Sequence, residues 1–201
     1  MTLLHLITGF YKVTKGSLRL FGSDINSISK KELASKVGIV MQKAQLFNGT
    51  IRSNVTWSNK NATDEEIENA IKTAQALDVI ESKGGIDAEV EQQGRNFSGG
   101  QRQRISIART LLMKPEILIL DDSSSALDYL TDLNLRKAIN GLDYNPTVFI
   151  VTQRCSSVMD ADKIVVLDDG KVMGIGTHEE LLKSCEVYRE IYDSQYSEEV
   201  A

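Results

Sequence analysis

Short apolar runs alternate along most of this chain with segments in which apolar residues recur every three or four positions. Val37-Gly38-Ile39-Val40, Ile117 to Leu120, Thr147 to Thr152 and Lys163 to Leu167 have the length and composition of strands. Leu18-Arg19-Leu20-Phe21 reads as a shorter strand entering a Gly22-Ser23-Asp24 turn, and Asp169-Gly170 predicts that Lys171-Val172-Met173 returns as a hairpin partner. Helical spacing is clearest over Asp64 to Ile80 and over Gln101 to Leu112. In the second of these, Ile105, Ala108, Leu111 and Leu112 form an apolar stripe that stops at Lys114-Pro115. Helix starts are marked by a hydroxyl three residues before a carboxyl or amide side chain, at Ser29/Glu32, Thr63/Glu66, Ser98/Gln101 and Thr177/Glu180. That is the spacing of a reciprocal cap. The alternation predicts an α/β fold, a mostly parallel sheet with flanking helices. Residues 46–113 lack strong strand signals and are expected to form a helical subdomain. The core then comprises about 1–45 and 114–192, with a polar, frayed tail at 193–201.

At 201 residues and 41% hydrophobic content the chain has enough apolar material for one sizeable core. Its formal net charge of -5 argues against a nucleic-acid partner, which would call for a basic face. No apolar run approaches the ~18 residues of a membrane span. The N-terminus lacks the charged-then-apolar order of a secretory signal, so attachment to a membrane would come through another chain or segment. Cys155 and Cys185 have neither metal-ligand nor paired spacing and read as reduced thiols of a cytosolic compartment.

Chemistry concentrates in the run from Asn96-Phe97-Ser98-Gly99-Gly100-Gln101 to Arg104, and at Asp121-Asp122, where the apolar strand from Ile117 ends. Glycines at the mouth of a capped helix leave bare N–H groups at its positive end, a place for an anion. Two aspartates at a strand's carboxyl end offer oxygen ligands to a hard cation. These residues, in this order and spacing, resemble the ATP-binding domain of ABC transporters, a P-loop NTPase with a RecA-like core. The resemblance runs from Thr2 to about Tyr192.

That resemblance implies ATP and Mg2+ as cofactors and assigns the site residues. Ser98, Gly99, Gly100 and Gln101 stand at the family's signature, which binds the ATP of a second nucleotide-binding domain. Gln42, at the end of the strand from Val37 to Met41, matches the glutamine that contacts magnesium and the attacking water, and Asp121 matches the acid that holds magnesium through water. Ser125-Ala126-Leu127-Asp128 resembles the segment that crosses the dimer interface, which places Asp128 near ATP. Phe47 to Val55 resembles an exporter-type pattern, and Ala88 to Gly94 resembles one that exporters place next to the helices of the membrane domain, although Glu91 and Gln92 replace that pattern's glycine and glutamate.

Three departures bear on catalysis. Asp122 stands where hydrolysing members carry glutamate, and a methylene less of reach costs on the order of 100-fold in rate. Gln153 stands where the family has a histidine at the γ-phosphate, and glutamine carries no charge at neutral pH. The phosphate-binding loop and its strand are not in the sequence, which reads as starting one residue after the loop's lysine, with Met1 at the place of the magnesium-binding hydroxyl.

The resemblance therefore implies the ATP-binding part of an exporter at the cytoplasmic face of a membrane. The chain further resembles the degenerate half of a heterodimeric exporter, whose own site would hydrolyse poorly and whose signature would serve the partner domain of a hetero- or homodimer. The alternative is a non-enzymatic remnant or regulatory piece that docks on a related subunit. A soluble ABC-type ATPase of DNA repair or translation is a third reading, opposed by the exporter-like stretches and the acidic balance.

Overall fold

The computed structural model describes residues 2–196 and divides the chain into two units, the first ending at Val151 and the second beginning at Thr152. Met1 and residues 197–201 lie outside the described residues, and with them the reading of Met1 and the end of the tail.

The first unit opens with helix α1 (Thr2–Ile7), followed by a hairpin of β1 (Arg19–Leu20) and β2 (Ser23–Asp24). Helix α2 (Lys30–Lys36) then leads directly into β3 (Val37–Val40). A two-residue ladder joins β4 (Gly49–Thr50) to β5 (Glu89–Val90) and brackets helices α3 (Ile51–Val55), α4 (Asp64–Thr73) and α5 (Leu77–Ser82). Helix α6 (Gly99–Leu111), strand β6 (Ile117–Asp121), helix α7 (Tyr129–Asn140) and strand β7 (Thr147–Val151) complete it.

The sheet is parallel, in the order β3-β6-β7, with Val40 opposite Leu120 and Asp121 opposite Val151. All five residues of β6 are buried, as befits a central strand. Its alternation divides the core. Leu118 and Leu120 join Val40, Ile51, Val55, Ile67, Ile105 and Leu135 on one side. Ile117 and Ile119 join Leu4, Ile7, Ile25 and Leu33 on the other. Burying four such side chains is worth about 6–12 kcal/mol, comparable to the net stability of a domain. The helices between Ile51 and Leu111 share the first of these cores with the sheet. Gly38 permits the close approach of α6 to β3, since a Cβ there would stand 2.6 Å from Thr110 Cγ2.

The expected helix from Asp64 to Ile80 is two helices. Gln75 adopts φ +55°, the Gln75 and Ala76 N–H groups donate to the Lys72 and Ile71 carbonyls, and the flanking Ala74 and Ala76 are fully buried. This is a left-handed C-cap that terminates α4. Reciprocal caps form at Thr63, Ser98 and Thr177. At Ser29 only the hydroxyl half forms, while Glu32 lies 3.7 Å from Lys36 Nζ.

The second unit holds a hairpin of β8 (Ile164–Asp168) and β9 (Lys171–Gly176), then α8 (His178–Ser184) and α9 (Glu186–Tyr196). Its core is Cys155, Ile164, Val166, Leu181, Cys185 and Tyr188, with both cysteines free. Helix α9 continues past 193 to Tyr196, whose ring stacks on Tyr192 one turn back. The other face of the hairpin carries Val165, Leu167, Val172 and Ile175, 47–58% exposed, with Val165 opposite Ile175 and Leu167 opposite Val172. No helix among the described residues is long and apolar enough to cross a membrane.

Candidate functional site

Because β3 and β6 run parallel and in register, the residues just beyond Val40 and Leu120 emerge side by side at the carboxyl end of the sheet. Gln42 there donates from Nε2 to Asp122 Oδ2 at 2.7 Å. Asp122 has left the strand with φ +44°, and its N–H donates to the Val151 carbonyl at 2.8 Å, so β7 holds its backbone while its carboxylate turns to Gln42. Asp121 behaves differently. It is 3% exposed, and its Oδ2 has no hydrogen-bond partner.

An orphaned buried oxygen costs about 1–3 kcal/mol unless something pairs with it, and a carboxylate oxygen calls for a cation. Magnesium fits that demand. It needs few protein oxygens because it keeps water and takes the rest of its shell from phosphate. Among the described residues no group of three His, Cys, Asp or Glu could hold a metal alone; the unpartnered Asp121 Oδ2 at the end of β6 is the candidate metal position.

The signature forms the mouth of α6. Ser98 Oγ accepts the Gln101 N–H at 3.2 Å, and Gln101 Oε1 accepts the Ser98 N–H at 2.9 Å. Ser98 and Gly99 are exposed, and a Cβ on Gly99 would meet nothing within 4 Å. Gly100 is tightly backed, since a Cβ there would stand 2.8 Å from the Ala126 carbonyl oxygen. The mouth therefore rests on the loop that follows Asp122 and stays open on its outer side. Asp128 closes that loop as the cap of α7, accepting from Thr131 N at 2.9 Å and Thr131 Oγ1 at 2.7 Å. These bonds lower its pKa.

Gln153 lies in the second unit, its side chain exposed and its carbonyl accepting from Gln195 Nε2 at 2.6 Å. Within the first unit the structure joins Gln42 to Asp122, and Gly100 to the 123–128 loop.

Chemistry that the sequence did not disclose lies on α6. Arg109 donates from Nε to the Asn54 carbonyl, from Nη2 to Asn54 Oδ1 and from Nη1 to the Gln45 carbonyl, at 2.9, 2.7 and 3.1 Å. Burial pulls its pKa down to about 10. Its guanidinium lies 4.9 Å from the centre of the Phe47 ring, which stacks on Trp57 at 4.4 Å. Both rings are exposed. In the other exporter-like stretch Val90 is buried, and Asn96 folds the loop back by donating to the Glu89 carbonyl and accepting from the Glu91 N–H.

The family profile described as ABC transporter matches residues 1–125. The chain belongs to the ABC transporter family. Among its ABC relatives, an uncharacterized ABC transporter ATP-binding protein of Bacillus subtilis, YfiB, is 42% identical over 199 residues, 98% of this chain and 34% of the relative. An ATP-dependent lipid A-core flippase of Desulfotalea psychrophila is 42% identical over 195 residues, 96% of this chain and 34% of the relative. The fold matches a bacterial Atm1-family ABC exporter solved with ATP bound, at a TM-score of 0.93 and 34% identity, over 97% of this chain and 35% of that one. The chain spans about a third of the length of these ABC relatives.

Proposed function

We propose that this chain is the ATP-binding portion of an ABC exporter, and that it gives more to its partner's ATP site than to hydrolysis at its own. The open mouth of α6 carries the reading. Ser98 and Gly99 face solvent at the positive end of a capped helix, where a triphosphate on a second nucleotide-binding domain would find bare N–H groups. On this reading Ser98, Gly99, Gly100 and Gln101 grip the partner's nucleotide, and Asp128 sits beside them at the domain interface.

At the chain's own site, Asp121 and Gln42 would hold magnesium, which supplies charge neutralisation on the phosphates. Asp122 would orient the attacking water, but its short side chain already accepts from Gln42, which draws its oxygen toward β3. Binding that closes the dimer, with slow cleavage, follows from such a site. Residues 46–113 would act as the helical subdomain. The exposed Phe47 and Trp57 pair would face the transmembrane domains, which would hold the assembly at the cytoplasmic face of the membrane.

The test is ATP turnover by the assembled heterodimer after Ser98→Ala. Loss of a positioned donor at a charged transition state is worth about 100-fold. Turnover equal to that of the unaltered assembly would refute the role given to the signature.

A further inference from the structure

Helix α6 buries an amide that its apolar stripe does not need. Gln103 is 1% exposed, one turn beyond the signature, and its Nε2 donates to the Met41 carbonyl at 3.1 Å. An apolar side chain of that length would fill the same volume without desolvating an amide. The bond falls where the sheet stops holding the chain. The β3–β6 ladder ends at Val40 and Leu120, so Met41 lies one step past it, and the next residue is Gln42, the side chain that reaches Asp122.

We propose that Gln103 is a positioning residue for Gln42, tying the backbone of this chain's metal-binding glutamine to the helix whose mouth grips the partner's nucleotide. The proposal rests on the ATP-site reading above. A helix is stiff over a single turn, so a displacement of Ser98 to Gly100 carries the Gln103 amide with it, ~6 Å along the axis from Gly99. The Met41 carbonyl follows, and Gln42 shifts against Asp122. Occupancy of the partner's site thereby bears on metal binding at this one.

The experiment uses the assembled exporter with two substitutions. Gln103→Met keeps the length and removes the donor. Gln103→His restores an N–H at similar reach. Hydrogen exchange of residues 41–43 is read without nucleotide, and photolabelling of this chain by 8-azido-ATP is read with Mg2+ and with EDTA. Gln103→Met is expected to speed exchange at 41–43 and to weaken Mg2+-dependent labelling by about tenfold, the usual effect of losing a partner that orients a metal ligand. Labelling in EDTA stays unchanged, Gln103→His recovers part of the loss, and Gln103→Met adds nothing in a Gln42→Ala background.

Unchanged exchange and Mg2+ dependence in Gln103→Met would overturn the proposal. So would a loss that is equal in EDTA and additive with Gln42→Ala, because it would mark general destabilisation. An unaltered assembly that takes no label would overturn the ATP-site reading itself. A Mg2+-dependent label indifferent to Gln103 would overturn this proposal alone.

Discussion

Two adjacent glycines at the mouth of α6 face opposite environments, and alanine at each should part their effects on stability. At Gly99 an added methyl meets open space, so Gly99→Ala gains the ~0.4–1 kcal/mol that comes from restricting the unfolded chain. At Gly100 the same methyl would stand 2.8 Å from the Ala126 carbonyl oxygen, a backbone atom that gives way only if the loop after Asp122 moves. Overpacking of this kind costs about 1–3 kcal/mol, which exceeds or cancels the same entropic gain. The two variants should therefore differ by about 1–3 kcal/mol. At about 2–4 °C per kcal/mol for a chain of this size, a 2 kcal/mol difference separates their melting temperatures by about 4–8 °C. Thermal unfolding of the purified variants side by side measures it. ATP turnover in the assembled heterodimer should fall for both, so Gly99→Ala gains stability while losing activity, because its methyl stands where a phosphate would approach the bare N–H groups. If Gly100→Ala melts no lower than Gly99→Ala, the packing of the signature on the 123–128 loop is wrong.

Arg109→Met should lower stability by about 1–3 kcal/mol, read from urea unfolding, because the fully buried Asn54 loses the donor to its carbonyl and its Oδ1. In an assembled heterodimer whose partner site is already slowed by Ser98→Ala, Asp122→Glu should raise the residual ATP turnover by about severalfold through restored reach, and an unchanged residual rate would count against a role for that side chain in orienting water. It should also cost some stability, since φ +44° suits aspartate better than glutamate. The Glu66 carboxyl accepts the Thr63 N–H and pairs with Lys114, and both hold its pKa below the ordinary 4.5. Its contribution to folding is therefore complete above pH 4.5 and lost as pH falls through the lowered value. The gap in urea midpoint between the unaltered chain and Glu66→Gln should close on acidification from about pH 6 to about pH 3. A gap that widens would reverse the sign of that linkage.

The elements most legible in the sequence were those fixed by local chemistry. Ser98 and Gln101 sit three apart and cap each other, and Ile117 to Leu120 is apolar throughout because both faces of β6 are covered. The turn at Asp169-Gly170 also forms as its residue types require, with φ +45° and +74°. What stayed hidden depends on contacts distant in sequence. The stripe of Ile105, Ala108, Leu111 and Leu112 described α6 as a helix with one apolar face, whereas Gln103 and Arg109 are held by carbonyls 62 and 64 residues away. Periodicity does not register such bonds, since a polar residue beside an apolar stripe reads as solvated. The break at Gln75 was missed for a related reason. Its left-handed turn replaces the usual glycine with glutamine and rests on buried alanines on either side, which carry no turn signal of their own. The pairing of Gln42 with Asp122 was not legible either, because it depends on which strand lies beside β3.

The outward face of the β8–β9 hairpin governs how this polypeptide behaves in bulk. Val165, Leu167, Val172 and Ile175 make an oily strip across two paired strands, so the last fifty residues contribute to the colloidal limit of the isolated chain. Lysine at Val172 and Ile175 would raise the concentration at which it precipitates. The layer centred on Leu181, on the opposite side of the same two strands, would be left intact.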